Sequence, residues 1–165
     1  SNFVNSTDCG GPFSGNDTDA GALSDDLESI FSTSGWTLLE KVNDDRGTSG
    51  FLTVTVSTED DEGNGLTGGW EWTSEDGWGS MTKVMAVLKG GPSFSAYLID
   101  LNEESGTWDT TGIVNGNGGV SPGLSHLTLY SAPDVVPLPA AGWLLLIGIG
   151  GLGVASRRRQ KAQTS

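Results

Sequence analysis

Phe51-Leu52-Thr53-Val54-Thr55-Val56-Ser57 is the stretch whose reading decides the fold. Phe51, Thr53, Thr55 and Ser57 alternate with Leu52, Val54 and Val56, the period of two expected of a strand with one face buried. Residues 124–130 divide in the same way, with Ser125, Leu127 and Leu129 on one face and Leu124, His126, Thr128 and Tyr130 on the other. Five further runs, 36–42, 70–73, 81–88, 94–100 and 107–111, read as strands, and much of the glycine (26 residues in the chain) falls between them. Short strands separated by glycine-rich turns predict a mainly β fold, an antiparallel β-sandwich or jelly-roll-like body. Ahead of them, Ser24 is placed to cap one or two helical turns over 24–31, with Asp25, Asp26 and Glu28 near the positive end of the helix dipole.

The organisation follows from composition. Residues 1–33 form an acidic segment with a short helix, expected to pack on a β body over 34–131; 132–139 is a linker. A transmembrane helix over 140–156 and a basic cytoplasmic tail, 157–165, are expected to follow. The body has the usual size of one domain. All 21 acidic residues precede Pro137, against four basic ones (Lys41, Arg46, Lys83 and Lys89), a net charge of −17 for that part. Nucleic acid is excluded as a partner, because binding it needs clustered cations to displace counterions from phosphate. Such acidity serves solubility first and attracts divalent cations second. Cys9 is the single cysteine, so no internal disulfide exists, and it is expected to be a partly buried, unreactive thiol. The chain opens at Ser1 without a basic or apolar leader, and the expectation is that an export signal has been removed.

Catalytic chemistry is sparse in the body. One histidine and one cysteine cannot make a cluster of soft metal ligands. A Ser-His-Asp set built on His126 would have to be assembled in space, and the bland reading of His126 is a satisfied polar group on a strand. Asp60, Glu62, Asn64, Gly65 and Glu71 fall at positions 1, 3, 5, 6 and 12 of a calcium-loop pattern, although the flanks read as strands where an EF-hand has helices. The alternative is a solvated hairpin loop. Asn16-Asp17-Thr18-Asp19 is a vaguer cation candidate. Trp70 and Trp72 share one face of a strand, and with Trp78 and Trp108 they offer a platform for sugar rings; core packing is the favoured reading, because a small domain needs bulky fillers to bury enough surface.

The C-terminus carries the sharpest pattern. Val136-Pro137-Leu138-Pro139-Ala140 leads into an uncharged apolar run, 140–155, and then Arg157-Arg158-Arg159-Gln160-Lys161. As a helix, that run would measure about 24 Å, short of a hydrocarbon core of roughly 30 Å, and outward reach by the flanking cations would close the gap. Basic residues beside a span stay cytoplasmic, which puts the body outside. These three ordered elements resemble the PEP-CTERM class of bacterial sorting signals, in its VPLPA variant, with Leu138 at the motif's usual acidic position. The resemblance implies cutting near the proline motif by an exosortase, a membrane transpeptidase, and delivery of the body to the cell surface or exopolysaccharide matrix. The body also resembles the β-rich domain of some PEP-CTERM proteins over 34–131, through Lys89-Gly90-Gly91-Pro92-Ser93-Phe94-Ser95-Ala96-Tyr97-Leu98, Ser105-Gly106-Thr107-Trp108-Asp109-Thr110 and Leu124-Ser125-His126-Leu127-Thr128-Leu129-Tyr130. The resulting expectation is a non-enzymatic exported surface or matrix protein needing no cofactor. The alternatives are a carbohydrate-binding module and, third, a hydrolase.

Overall fold

The computed structural model describes residues 3–19, 22–113 and 121–132. In chain order the elements are β1 (Ser6–Ser14), β2 (Thr18–Asp19), β3 (Ala22–Leu23), α1 (Asp25–Glu28), a 3-10 turn (Ile30–Ser32), β4 (Thr37–Val42), β5 (Gly47–Ser49), β6 (Leu52–Glu59), β7 (Gly65–Trp72), β8 (Lys83–Gly90), β9 (Ser93–Ile99), β10 (Ser105–Asp109) and β11 (Leu124–Ala132). They build a five-stranded antiparallel sheet in the order β1-β9-β8-β11-β4 and a four-stranded one in the order β10-β7-β6-β5, with β2 and β3 as a separate hairpin. The protein is therefore mainly β.

Leu52 and Val54 of β6 point inward, as the period of two predicts, and meet Val84, Ala86 and Leu88 of β8 and Leu127 and Leu129 of β11 in one apolar cluster shared by the two large sheets. Alternate residues on the other face of the five-stranded sheet, Met85, Val87, Phe94, Ala96 and Tyr130, are also covered, by Leu27, Trp36 and the neighbouring Leu23, Ile30 and Phe31. A sheet buried on both faces needs continuous apolar strands rather than alternating ones. That is why Val84 through Gly90 are all buried. Each fully buried Leu or Val there contributes about 1.5–3 kcal/mol relative to exposure.

The structure corrects the sequence reading at five points. β11 carries an irregularity between Leu124 and His126, which pair with Gly90 and Lys89. The extra residue, Ser125, shifts the phase, so Leu124 joins Leu127 and Leu129 in the shared core instead of facing with His126. β1 was not foreseen, since Ser-Thr-Asp-Cys-Gly-Gly-Pro has no apolar period; it is an edge strand, the one place where Pro12 costs no ladder bond. β7 begins at Gly65, five residues before the expected start. Gly68 is required there by contact: a Cβ would lie 1.8 Å from the Thr55 carbonyl oxygen and 2.6 Å from Trp108 Cζ2. Ser24 occupies the N-cap position of α1 with extended backbone, but its side chain makes no capping bond, and the helix lasts four residues. Cys9 is exposed, not partly buried.

No helix among the described residues is long and apolar enough to cross a membrane. The span expected at 140–156, the sorting motif Val136 to Ala140 and the cations Arg157, Arg158 and Arg159 lie outside the described residues.

Candidate functional site

The strongest polar constellation in the body is built on Asp17. Asp17 follows β1, is 1% exposed, and its carbonyl accepts a hydrogen bond from Ser24 N at 2.9 Å, closing the loop that contains β2 and β3. Its carboxylate reaches across to β11. His126 Nε2 donates to Oδ1 at 3.0 Å, while Thr128 Oγ1 and Tyr130 Oη donate to Oδ2 at 3.2 and 3.1 Å. The three donors stand at every second position of β11 and so share one face. A carboxylate can only accept, which places the proton on His126 Nε2.

Electrostatics match this geometry. Burial raises the Asp17 pKa, but the hydrogen bond and charge of His126, the charge of Lys41 and the Tyr130 hydrogen bond outweigh it and hold the carboxyl at about 2. Burial, then the Asp17 charge and hydrogen bond, push the Tyr130 hydroxyl up. Lys89 is 4% exposed and its ammonium contacts the Gly91 carbonyl; burial lowers its pKa against the opposing pull of Asp17. The carboxylate is thus bonded to three side chains of β11, which ties the segment following β1 to the sheet. The sequence marked His126 as a structural polar group and Asp17 only as part of a vague cation motif. Nothing local could pair residues 109 positions apart.

The calcium pattern does not assemble. Asp60 sits in the β6–β7 turn, where its Oδ1 accepts from Glu62 N and Asn64 N, both at 2.9 Å, and its Oδ2 accepts from Asn64 Nδ2 at 2.9 Å. Those bonds, the ones from Asn64 first, hold its pKa below the ordinary carboxylate value. Glu71 instead pairs with Thr53 and Ser105 at the far end of β7. It lies six residue steps along the strand from Gly65, about 20 Å at about 3.3 Å each. Asp60, Glu62 and Asn64 therefore form a self-satisfied hairpin turn, and no group of three or more acidic, His or Cys side chains able to hold a metal occurs among the described residues.

Trp70, Trp72 and Trp78 take the core setting rather than the sugar-binding one. They are 2%, 4% and 5% exposed, in the shared core, as is Trp108. Trp72 and Trp78 stack at 4.9 Å with an 11° angle, and their indole N–H groups donate to the carbonyls of Gly77 and Glu103 at 2.7 and 2.8 Å. A row of three exposed indoles does not exist. What reaches solvent beside them is Phe51, 49% exposed, its ring 5.4 Å from Trp72. Phe51, Leu39, Met81 and the two indoles line an open cavity of about 470 Å³ with Glu40 and Asp76 also in its wall. Phe51 was legible as an aromatic on the polar face of its strand; the cavity was not.

Against known proteins, a family model described as the PEP-CTERM protein-sorting motif matches residues 135–159. No curated protein and no solved structure matches the chain. The motif implies a membrane-anchored precursor, processed by an exosortase and exported to the cell surface.

Proposed function

We propose that this chain, a bearer of the PEP-CTERM sorting motif, is a non-enzymatic structural component of the cell surface or exopolysaccharide matrix. An acidic β-sandwich is delivered there when an exosortase cuts near Val136-Pro137-Leu138-Pro139-Ala140. The observation that carries this reading is the motif match at 135–159, immediately after a self-contained folded unit ending at Asp134. The commitment of His126 to Asp17 supports a body that does no chemistry, because that pair is consumed in holding the fold. A transmembrane helix over 140–156, with Arg157, Arg158 and Arg159 on the cytoplasmic side, presents the motif at the membrane. A second reading, glycan binding in the matrix, has one observation in its favour: the cavity beside Phe51, where a half-exposed ring and two carboxylates offer a C–H stacking surface and hydroxyl acceptors.

The test is replacement of Pro137 and Pro139 by Ala in the full precursor. Two prolines hold the motif extended, as a peptidase-like site requires, and contribute nothing to the apolar run that sets insertion. The variant should accumulate uncut in the membrane while the native protein is released. Equal release with the same mature C-terminus would refute the sorting role.

A further inference from the structure

Strand registers place a particular set of residues at the end of the body from which the C-terminal tail departs. β11 ends at Ala132, paired with Lys83 at the start of β8, and Ser131 pairs with Thr37 at the start of β4. Ser6, at the start of β1, pairs with Ile99 at the end of β9. The turns 73–82 and 100–104 join the two sheets at this same end, and Leu52 pairs there with Trp72. Every exposed large hydrophobic residue found among the described residues belongs to it: Val4 at 47%, Leu38 at 55% and Phe51 at 49% exposure. Val4 is tied in by its neighbour Asn5, whose carbonyl accepts from Asp100 N at 2.9 Å. Single exposed apolar residues are ordinary, but their collection at one end is the mark of an interaction surface.

The length of the connecting chain says what meets that surface. Three residues separate Ala132 from Val136, and a fully extended backbone covers at most about 3.6 Å per residue. Any enzyme that grips Val136 to Ala140 is consequently held within about 14 Å of Ala132, whatever path the linker takes. A membrane transpeptidase is far larger than that gap. Gripping the motif therefore brings such an enzyme up to the Ala132 end of the body.

We infer that this end of the body, with Leu38 and Phe51 as its apolar contacts, is a docking surface for the exosortase itself, additional to the linear sorting motif. The occupant's chemistry follows from the rim. Glu75, Asp76, Glu103 and Glu104 are exposed at this end, and among the described residues placed there Lys83 is the only Lys or Arg, Lys41 and Lys89 lying further along β4 and β8. An anionic lipid surface is repelled by that rim, whereas a protein face with an apolar patch edged by Lys or Arg is attracted to it and oriented by it. The cavity beside Phe51 takes an apolar side chain from the partner. The effect is specificity: a motif on an unrelated or misfolded body lacks the second contact, and linkage through the short chain makes that contact effectively intramolecular.

The inference rests on the sorting reading, and its test separates the two. The full precursor is co-expressed with its exosortase, with the photo-crosslinker benzoylphenylalanine placed at Leu38, at Phe51 or, as a control in the turn at the opposite end, at Asp61. Adducts to the exosortase from the first two positions and not the third are expected. Leu38→Glu combined with Phe51→Glu, at two exposed positions where folding is preserved and checked by melting, should slow cutting at least threefold. Adducts only to lipid or to a second copy of the chain, or cutting at the native rate, would overturn the docking surface. If the Pro137→Ala, Pro139→Ala precursor is blocked while the Leu38, Phe51 variant is cut normally, docking alone is lost. Normal cutting of the proline variant removes the sorting reading as well.

Discussion

Replacing Asp17 by Asn keeps the shape of the side chain at the centre of the buried cluster and removes its charge, so it isolates what ionisation contributes. In the folded protein the Asp17 carboxyl is held down at about 2, against its ordinary 3.8. Its folded pKa is depressed, so the stabilisation is fully present above about pH 4 and is lost as pH falls through about 2. The difference of nearly two pH units corresponds to about 2 kcal/mol at neutral pH, at about 1.4 kcal/mol per unit. A domain of this size has roughly 5–15 kcal/mol in total, so the loss is large, equivalent to a melting temperature lowered by roughly 6–10 °C. At pH 2.5 most of the ionisation benefit has gone from the native protein too, and the gap between native and variant should shrink to about a third of its neutral value. The groups facing Asp17 are His126 and Tyr130 on β11, Lys41 on β4 and, through its charge, Lys89 on β8. Urea unfolding of both proteins at the two pH values, followed by tryptophan fluorescence, gives the comparison. A variant as stable as the native protein at pH 7, or one whose deficit is the same at both pH values, would show that the carboxylate is not what holds residues 17–36 to the sheet.

Two other outcomes test the packing and the loop. Gly68→Ala should destabilise the protein by about 3 kcal/mol or more, because the new methyl meets backbone at Thr55 and the Trp108 ring, and neither can retreat from a packed core; near-native urea stability would disprove the close contact. Millimolar calcium should leave the melting temperature of the native protein and of Glu71→Gln unchanged, since Glu71 lies about 20 Å along β7 from the Asp60 turn. A calcium-dependent rise would mean the turn binds metal with other ligands.

β6 was legible from sequence because its signal is local: Leu52, Val54 and Val56 face inward whatever strand lies beside them, and Phe51 stays out with the threonines. The sorting tail was legible for the same reason, as its charge, prolines and apolar run act in sequence order. Tertiary structure decided the rest. β1 is a strand because the free edge of β9 supplies its hydrogen bonds, not because Ser6 to Ser14 has any apolar period. The phase of Leu124 depends on a bulge that only the pairing with β8 reveals, and Gly68 of β7 is explained only by the Thr55 carbonyl and the Trp108 ring pressed against it. The tryptophans could not be assigned to core or surface from their spacing, since both readings put Trp70 and Trp72 on one face, and only the second sheet closing over that face buries them. The Asp17 cluster joins residues more than a hundred positions apart, where no local periodicity operates and the deciding term is the cost of burying a charge without its partners.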